Sequence, residues 1–257
     1  MNKSNYFKSL CVAVAFLLAS FGGRAQQFEF SGYFNGFLPV AEFNNLNADD
    51  LMSFGTFNPI NRTNIATSAS AGIGASLRAG IWLDVGANNW LLPFAEVSFL
   101  WNPSKSKIRD VYDNNNLNNE LKAIPKVPNY FNVPVQVGLK YRYDLTDIIR
   151  PFAEASIGFD MMFITKNGYP NGSSYVDGEG VTHHLGTYAY KPNGALSWTI
   201  GAGTYLGENV TVGLYYLDMG VHRIGYTSRS FNDSDATSWS GEKRHMGELA
   251  LRIGFHF

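Results

Sequence analysis

The most constraining feature of this chain is its last segment, Glu248–Phe257, which reads E-L-A-L-R-I-G-F-H-F. Every second residue is apolar, and small, polar or charged residues such as Arg252 occupy the positions between. A period of two indicates a β-strand with one apolar face, because a helix repeats about every 3.6 residues. Natural proteins rarely leave a long apolar strand at an open sheet edge, and a closed barrel has no edge. The segment therefore predicts the closing strand of a β-barrel.

The same period-two pattern recurs along the chain and predicts an all-β fold, an eight-stranded antiparallel up-and-down transmembrane barrel. The clearest case is residues 69–85, where nine successive alternate positions are apolar. Connections after strands two, four and six are only a few residues long, whereas the others run to roughly 20–30 residues, as in bacterial outer-membrane barrels. This alternation predicts short periplasmic turns and long extracellular loops. The predicted strands cover about residues 28–40, 69–85, 90–101, 131–143, 153–163, 194–206, 210–219 and 248–257.

The apolar faces of these strands are expected to form the outside of the barrel. Charged residues make up only 16% of the chain and aromatic residues 15%, which suits a β-protein whose surface is partly out of water. A net formal charge of −1 without a basic stripe predicts no nucleic-acid partner. The nearest alternative is a soluble lipocalin-like barrel, which would carry its polar face outside and its apolar face inside.

The start of the chain predicts export. Lys3 and Lys8 precede an apolar run from Leu10 to Phe21, and small residues follow it up to Ala25. This arrangement is typical of a secretory signal peptide and is too short to span a bilayer. We therefore expect residues 1–25 to be a signal peptide cut near Ala25 and residues 26–257 to form the barrel domain. The only cysteine, Cys11, lies in the signal, so no disulfide is expected in the exported chain.

Charged residues on the inward faces are predicted to form one ion-pair cluster in the lumen. Adding residue numbers across the first two short turns places Arg78 opposite Glu96 and Lys140 opposite Glu154. The interior of an eight-stranded barrel is just wide enough for side chains to fill it, so buried charges there must be paired. We expect these pairs to close the lumen, and the alternative is a narrow gated channel. The predicted cluster is Arg78, Glu96, Lys140, Glu154, Asp160, Glu248 and Arg252.

Aromatic residues near the ends of the apolar faces predict two membrane interfaces. Trp101 would mark the extracellular interface, and the other four would ring the periplasmic one. The periplasmic set is Tyr141, Tyr143, Phe255 and Phe257.

The terminal L-R-I-G-F-H-F resembles the aromatic-ended signal of small eight-stranded outer-membrane barrels of the OmpA/OmpX type, a porin-family group, and the pattern covers residues 26–257. The resemblance implies an outer-membrane location, lipid as a partner, and recognition of the strand ending at Phe257 by the outer-membrane assembly machinery. It implies no periplasmic peptidoglycan-binding domain, because the chain ends with the barrel. An unidentified extracellular ligand at the long loops is also expected.

We expect a structural or surface-interaction role rather than an enzyme, with a narrow porin or channel for small solutes as the alternative and a lipid-modifying enzyme third. Some small outer-membrane barrels modify lipid A acyl chains, and such chemistry would need a nucleophile with a histidine and an acid. The best set, His245 with Glu248 and either Ser238 or Ser240, is weak. Adjacent His183 and His184 point in opposite directions on an extended loop, so no metal, cofactor or catalytic residue is predicted.

Overall fold

A computed structural model describes residues 27–44, 68–106, 126–168, 174–176, 180, 182–184, 187–229, 237–239 and 243–257. The predicted signal peptide, residues 1–25, lies outside the described residues. No helix in the described part of the chain is long and apolar enough to cross a membrane.

Eight long strands, joined in antiparallel pairs, close into one barrel. Each strand pairs with its neighbours in sequence, and the last strand pairs with the first, so the order is up-and-down. This confirms the predicted fold and the eight-stranded architecture that the resemblance implies. The strands are β1 (Gln27–Ala41), β2 (Gly72–Gly86), β3 (Asn89–Pro103), β4 (Asn129–Tyr143), β5 (Ile149–Ile164), β6 (Asn193–Leu206), β7 (Val210–Arg223) and β8 (Lys243–His256).

The two rims of the barrel differ. Short turns join β2 to β3, β4 to β5 and β6 to β7 at one end, which we call the short-turn rim and where β1 begins and β8 ends. The first turn is tight because Ala87 and Asn88 adopt positive φ angles of 48° and 66°. The long connections leave from the opposite end, the long-loop rim. Residues there form a four-stranded sheet (Asn167–Gly168, Thr187–Tyr190, Tyr226–Arg229 and Thr237–Trp239) and a hairpin (Ser174–Val176 with Thr182–His184).

Some strand ends differ from the sequence prediction. Strand β2 begins at Gly72 rather than Ala69, because Ala69 is buried and forms an isolated bridge with Ser104. Strand β7 continues to Arg223 rather than stopping near residue 219. A register shift after Asp218 absorbs one extra residue, and β7 and β8 then stay paired to the rim. Alternation alone does not reveal such a bulge, since it moves one residue out of phase.

The two faces of the barrel wall have opposite chemistry. Outward side chains in the middle of the strands are apolar and exposed, whereas the inward ones are largely polar and buried. A soluble lipocalin-like barrel would have the reverse arrangement, so that alternative is wrong. Exposed outward residues include Phe34, Leu77, Val97, Val137, Ile157, Ile200, Leu214 and Ile253.

The barrel closes where β1 meets β8. Phe34 lies opposite Ile253 and Asn35 opposite Arg252, so the apolar and polar faces stay in phase across the junction. At the short-turn rim, the Phe257 amide donates to the Phe30 carbonyl at 2.9 Å. The terminal segment therefore takes the place that its alternation predicts.

Candidate functional site

The lumen is the candidate functional site, and Arg78 on β2 lies at its centre. The Arg78 guanidinium donates to Glu96 Oε2 from Nε at 2.8 Å and from Nη2 at 2.6 Å. It also donates to Glu154 from Nη1 at 2.8 Å and from Nη2 at 2.5 Å. The planar guanidinium suits this double contact, because its five N–H groups form a fixed fork. One arginine thus links carboxylates on two strands that are not neighbours, β3 and β5.

Two further cations complete what we call the central network: Arg78, Glu96, Lys140, Glu154 and Arg252. Arg252 Nη2 lies 3.0 Å from Glu96 Oε1, and its Nε donates to Asn35 Oδ1 at 2.7 Å. Lys140 Nζ lies 3.3 Å from Glu154 Oε2. Three cations and two carboxylates give the central network a formal charge of +1 (3 − 2). All five side chains are at most 5% exposed.

Aromatic rings cover the cations of the central network. Such contacts are electrostatically favourable, because the face of an aromatic ring is negative. The rings also fill space beside the charges and help to exclude water from the lumen. The distances from cation to ring centre are 3.8 Å for Arg78 and Phe94, 4.4 Å for Lys140 and Phe152, and 4.5 Å for Arg252 and Tyr215.

The predicted facing pairs are both present. Arg78 lies opposite Glu96 on β3, and Lys140 lies opposite Glu154 on β5. Counting across short turns works here because a tight turn fixes the register of its hairpin.

The prediction of a single cluster of seven charges is wrong for Asp160 and Glu248. Asp160 lies six residues beyond Glu154 on β5, and at about 3.3 Å per residue this places it about 20 Å further along the strand. Glu248 is likewise separated from Arg252 by about 13 Å along β8. Both acids lie in the long-loop half of the lumen, where Asp160 Oδ2 is 3.1 Å from His222 Nε2. Facing inward is a shared direction and does not imply a shared height.

A third polar group at the short-turn rim was missed by the sequence analysis. We call Glu29, Ser31, Trp82, Thr211 and His256 the rim cluster. His256 Nδ1 lies 2.9 Å from both Glu29 Oε1 and the Ser31 hydroxyl, and its Nε2 lies 3.0 Å from Thr211 Oγ1. The Trp82 indole N–H donates to Glu29 Oε2 at 2.6 Å. The available signal was the inward position of Glu29 and His256 on the first and last strands.

The rim cluster holds the junction of the barrel. Its side chains come from β1, β2, β7 and β8, the four strands around the closure. The chain of contacts from Thr211 to His256 to Glu29 has the order of a nucleophile, a base and an acid. Thr211 is only 2% exposed, and the Tyr205 ring lies tilted against His256 with 4.8 Å between ring centres, so these residues form a packed polar contact between strands.

The catalytic set considered from the sequence is not assembled. His245 Nε2 lies 2.8 Å from Asp218 Oδ2, and Glu248 is fully buried in the lumen. Ser238 lies in the short strand Thr237–Trp239, and Ser240 lies outside the described residues. His183 and His184 lie in the hairpin strand Thr182–His184. Across the described ranges, no group of three His, Cys, Asp or Glu side chains is placed to hold a metal ion.

The predicted interface aromatics lie at the two rims. At the short-turn rim, Tyr141 and Tyr143 end β4 and Phe255 and Phe257 end the chain, and all four side chains are exposed. Trp101 lies near the other end of the barrel wall, where its indole N–H donates to Asn129 Oδ1 at 3.2 Å.

No protein-family model matches the sequence, and no curated protein matches it. Solved structures that show an overall likeness include the following three. A major outer membrane protein from Thermus thermophilus is 11% identical, with 90% of this chain and 100% of that chain covered and a TM-score of 0.43. The outer membrane protein OprG from Pseudomonas aeruginosa is 10% identical, with 92% and 98% covered and a TM-score of 0.42. Ail, the attachment invasion locus protein of Yersinia pestis, is 8% identical, with 91% and 99% covered and a TM-score of 0.40.

Proposed function

We propose that this chain is an integral outer-membrane β-barrel protein with a structural or surface-interaction role, and that the central network plugs its lumen. The observation that carries the proposal is the inverted wall, which is apolar and exposed outside and polar and buried inside. An apolar exterior of this extent is stable only against lipid, since soluble proteins rarely expose apolar patches beyond a few hundred Å².

The barrel satisfies the requirement that a bilayer imposes on a β-protein. Its strands form a closed ladder, so that backbone N–H and C=O groups in the wall are paired without water. Strands of 14–16 residues exceed the about 9–11 residues needed to cross a bilayer at a tilt. The exposed aromatic residues of the short-turn rim support a periplasmic interface there, and Trp101 supports the opposite interface.

Three polar layers support a closed lumen. The rim cluster fills the short-turn end and the central network fills the middle. Above the network, Gln136 accepts from Ser156 at 2.8 Å and from Thr199 at 3.0 Å, and its amide donates to Ser197 at 3.2 Å. An eight-stranded barrel encloses little more than its own side chains, so buried ion pairs at mid-height obstruct solutes.

The long-loop rim would carry any interaction with the outside. Export through the signal peptide, recognition of the Phe257 strand by the assembly machinery, and an extracellular ligand at the loops are parts of the proposal. A non-enzymatic role is also part of the proposal.

Reconstitution tests both parts of the proposal. The folded protein should migrate differently on gels before and after boiling, and it should insert into lipid vesicles. In planar bilayers we expect no stable open state for the natural sequence, and we expect brief openings after Arg78→Ala with Arg252→Ala, which thins the middle layer while the other two stay in place. Glu208→Gln, which changes an exposed turn residue, is the matched control and should stay closed. A stable open state of the natural sequence that passes sugars would refute the plug and favour the narrow channel.

A further inference from the structure

Six buried side-chain oxygen atoms in the long-loop half of the lumen have no hydrogen-bond partner of ordinary distance and angle among the described residues, and one of them, Asp160 Oδ2, lies in ion-pair distance of His222 Nε2 at 3.1 Å. They belong to four fully buried side chains on four different strands. Buried polar atoms are nearly always satisfied, and a group of unsatisfied ones calls for a water or ion as an explanation. The atoms, which we call the oxygen cluster, are Asn102 Oδ1, Asn132 Oδ1, Asp160 Oδ1 and Oδ2, and Glu248 Oε1 and Oε2.

The strand register brings the four side chains to one level. Asn132 pairs with Met162 and Asp160 with Pro134, so Asn132 and Asp160 are diagonal neighbours on the inner faces of β4 and β5. Asn102 is diagonal to Asn132 in the same way on β3, because Leu100 is the partner of Asn132. Diagonal positions lie about 7–8 Å apart, which is within reach of a ligand shared by both side chains.

Glu248 approaches this row from the other side of the lumen. In the closed order of eight strands, β8 lies opposite β4, four strands away in either direction. The Glu248 carboxylate lies near the Asn102 amide, which is oriented to donate toward it, and near enough to the Asp160 carboxylate for the two to repel. The oxygen cluster is therefore a ring of acceptors around the lumen axis.

The charges of the oxygen cluster are not balanced by the protein that surrounds it. Among the described residues, the only ion-pair partner of its two carboxylates is His222, which lies beside Asp160. On the strand of Glu248, Arg244 and Arg252 are both four residues away, about 13 Å along β8, and they pair with Glu42 and Glu96. An isolated buried carboxylate is strongly disfavoured, so a positive ligand would stabilise this site.

We propose that the oxygen cluster binds a hard divalent cation of the calcium type inside the barrel. Calcium takes about 6–8 oxygen ligands, carboxylate and amide oxygens among them, and two carboxylates match its charge. None of the six atoms is sulfur, and His222 Nε2 donates to the Met219 carbonyl at 2.9 Å, so it has no free lone pair for a softer metal. Glu248 would supply the ligand from β8, and the amides of Asn102 and Asn132 would complete the ring. The bound ion would tie opposite walls of the long-loop half together.

The main competing explanation is a proton. If Glu248 were protonated, its hydroxyl could donate to Asn102 Oδ1 and part of the cluster would be satisfied without an ion. At a fixed pH, a cation site predicts saturable calcium binding, whereas a protonated Glu248 predicts none.

The test is calcium titration of the folded full-length barrel in detergent, by calorimetry and by thermal unfolding, with calcium chloride alone as the probe. We expect one saturable site per chain below about 10 mM, and a melting temperature that rises with calcium. Glu248→Gln should weaken binding about tenfold or more while the barrel stays heat-modifiable. Glu208→Gln, which removes a carboxylate from an exposed turn at the other rim, should bind as the natural sequence does.

A second variant covers the case in which Glu248→Gln does not fold. Asn132→Leu removes an amide oxygen without changing charge, and it should also weaken calcium binding. No saturable binding by the natural sequence, or equal binding by Glu248→Gln, would overturn the proposal. Sodium or magnesium binding in place of calcium would overturn the calcium-type assignment. These results are independent of conductance, so they can fail while the plugged barrel stands.

Discussion

Replacing Glu154 by glutamine tests whether the central network acts as one unit. Glu154 Oε2 lies 3.3 Å from Lys140 Nζ, and its Oε1 lies 2.5 Å from Arg78 Nη2. Unit charges at the distance between Glu154 and Lys140 attract by about 5 kcal/mol at an effective dielectric constant of about 20. The substitution changes the formal charge of the network from +1 to +2, by removal of one of two carboxylates. We expect the free energy of unfolding to fall by about 3–5 kcal/mol, the usual cost of breaking a buried pair.

A matched double variant separates lost attraction from a stranded charge. Lys140 is fully buried, and among the described residues Glu154 is the only carboxylate in ion-pair contact with it. Adding Lys140→Met to Glu154→Gln returns the formal charge to +1 and removes the uncompensated ammonium. The double variant should therefore recover about 2–3 kcal/mol of the loss.

The assay is urea unfolding in lipid vesicles, followed by tryptophan fluorescence and by gel migration without boiling. The reasoning would be refuted if Glu154→Gln cost less than about 1 kcal/mol, a value typical of exposed pairs. It would also be refuted if the losses in unfolding free energy of Glu154→Gln and of Lys140→Met alone summed to the loss of the double variant within about 0.5 kcal/mol, as they do for independent sites.

Two further predictions concern the barrel wall. Leu77→Arg places a cation on the lipid side at mid-wall, which costs about 2–4 kcal/mol and should lower the yield of heat-modifiable protein. The control, Glu208→Arg on the exposed turn, should fold normally. Equal yields of the two variants would contradict the outward assignment of Leu77. Gly201→Ala adds a methyl group that overlaps the Tyr215 ring, whereas a methyl at Gly36 meets nothing within 4 Å. By urea unfolding, the first should cost about 1–3 kcal/mol and the second little, and equal costs would show that the lumen repacks freely.

Much of the barrel follows from its sequence because the period-two rule decides which side chains face inward. The same rule gives the facing pairs across short turns, as the register of Arg78 and Glu96 shows. Heights along one strand follow as well, because each residue adds about 3.3 Å, and the seven-charge prediction overlooked that Asp160 and Glu248 lie about 13–20 Å from the central network along their strands. Heights on strands joined by long loops do not follow, because the stagger between them depends on how the sheet closes.

The rim cluster and the oxygen cluster could not be predicted for a related reason. Glu29 and His256 are at opposite ends of the chain, and only closure of β1 on β8 brings their side chains to 2.9 Å. Asn102 and Asn132 carry no charge, and an inward asparagine has no special signal in a polar lumen. Apart from the pair Asn132 and Asp160, which shares the short-turn hairpin of β4 and β5, both groups depend on contacts between strands whose alignment no short turn fixes.

The central claim is that the apolar outer face lies in lipid, and oxygen accessibility of spin labels along β4 tests it most directly. Single labels would replace Val133, Val135, Val137 and Leu139 in turn in a Cys11→Ser background, with Ile148 in a short turn as the aqueous control. The account predicts that oxygen exceeds a water-soluble nickel reagent at all four strand sites and that the order reverses at Ile148. Preferential access of the nickel reagent to the four strand sites would contradict the account.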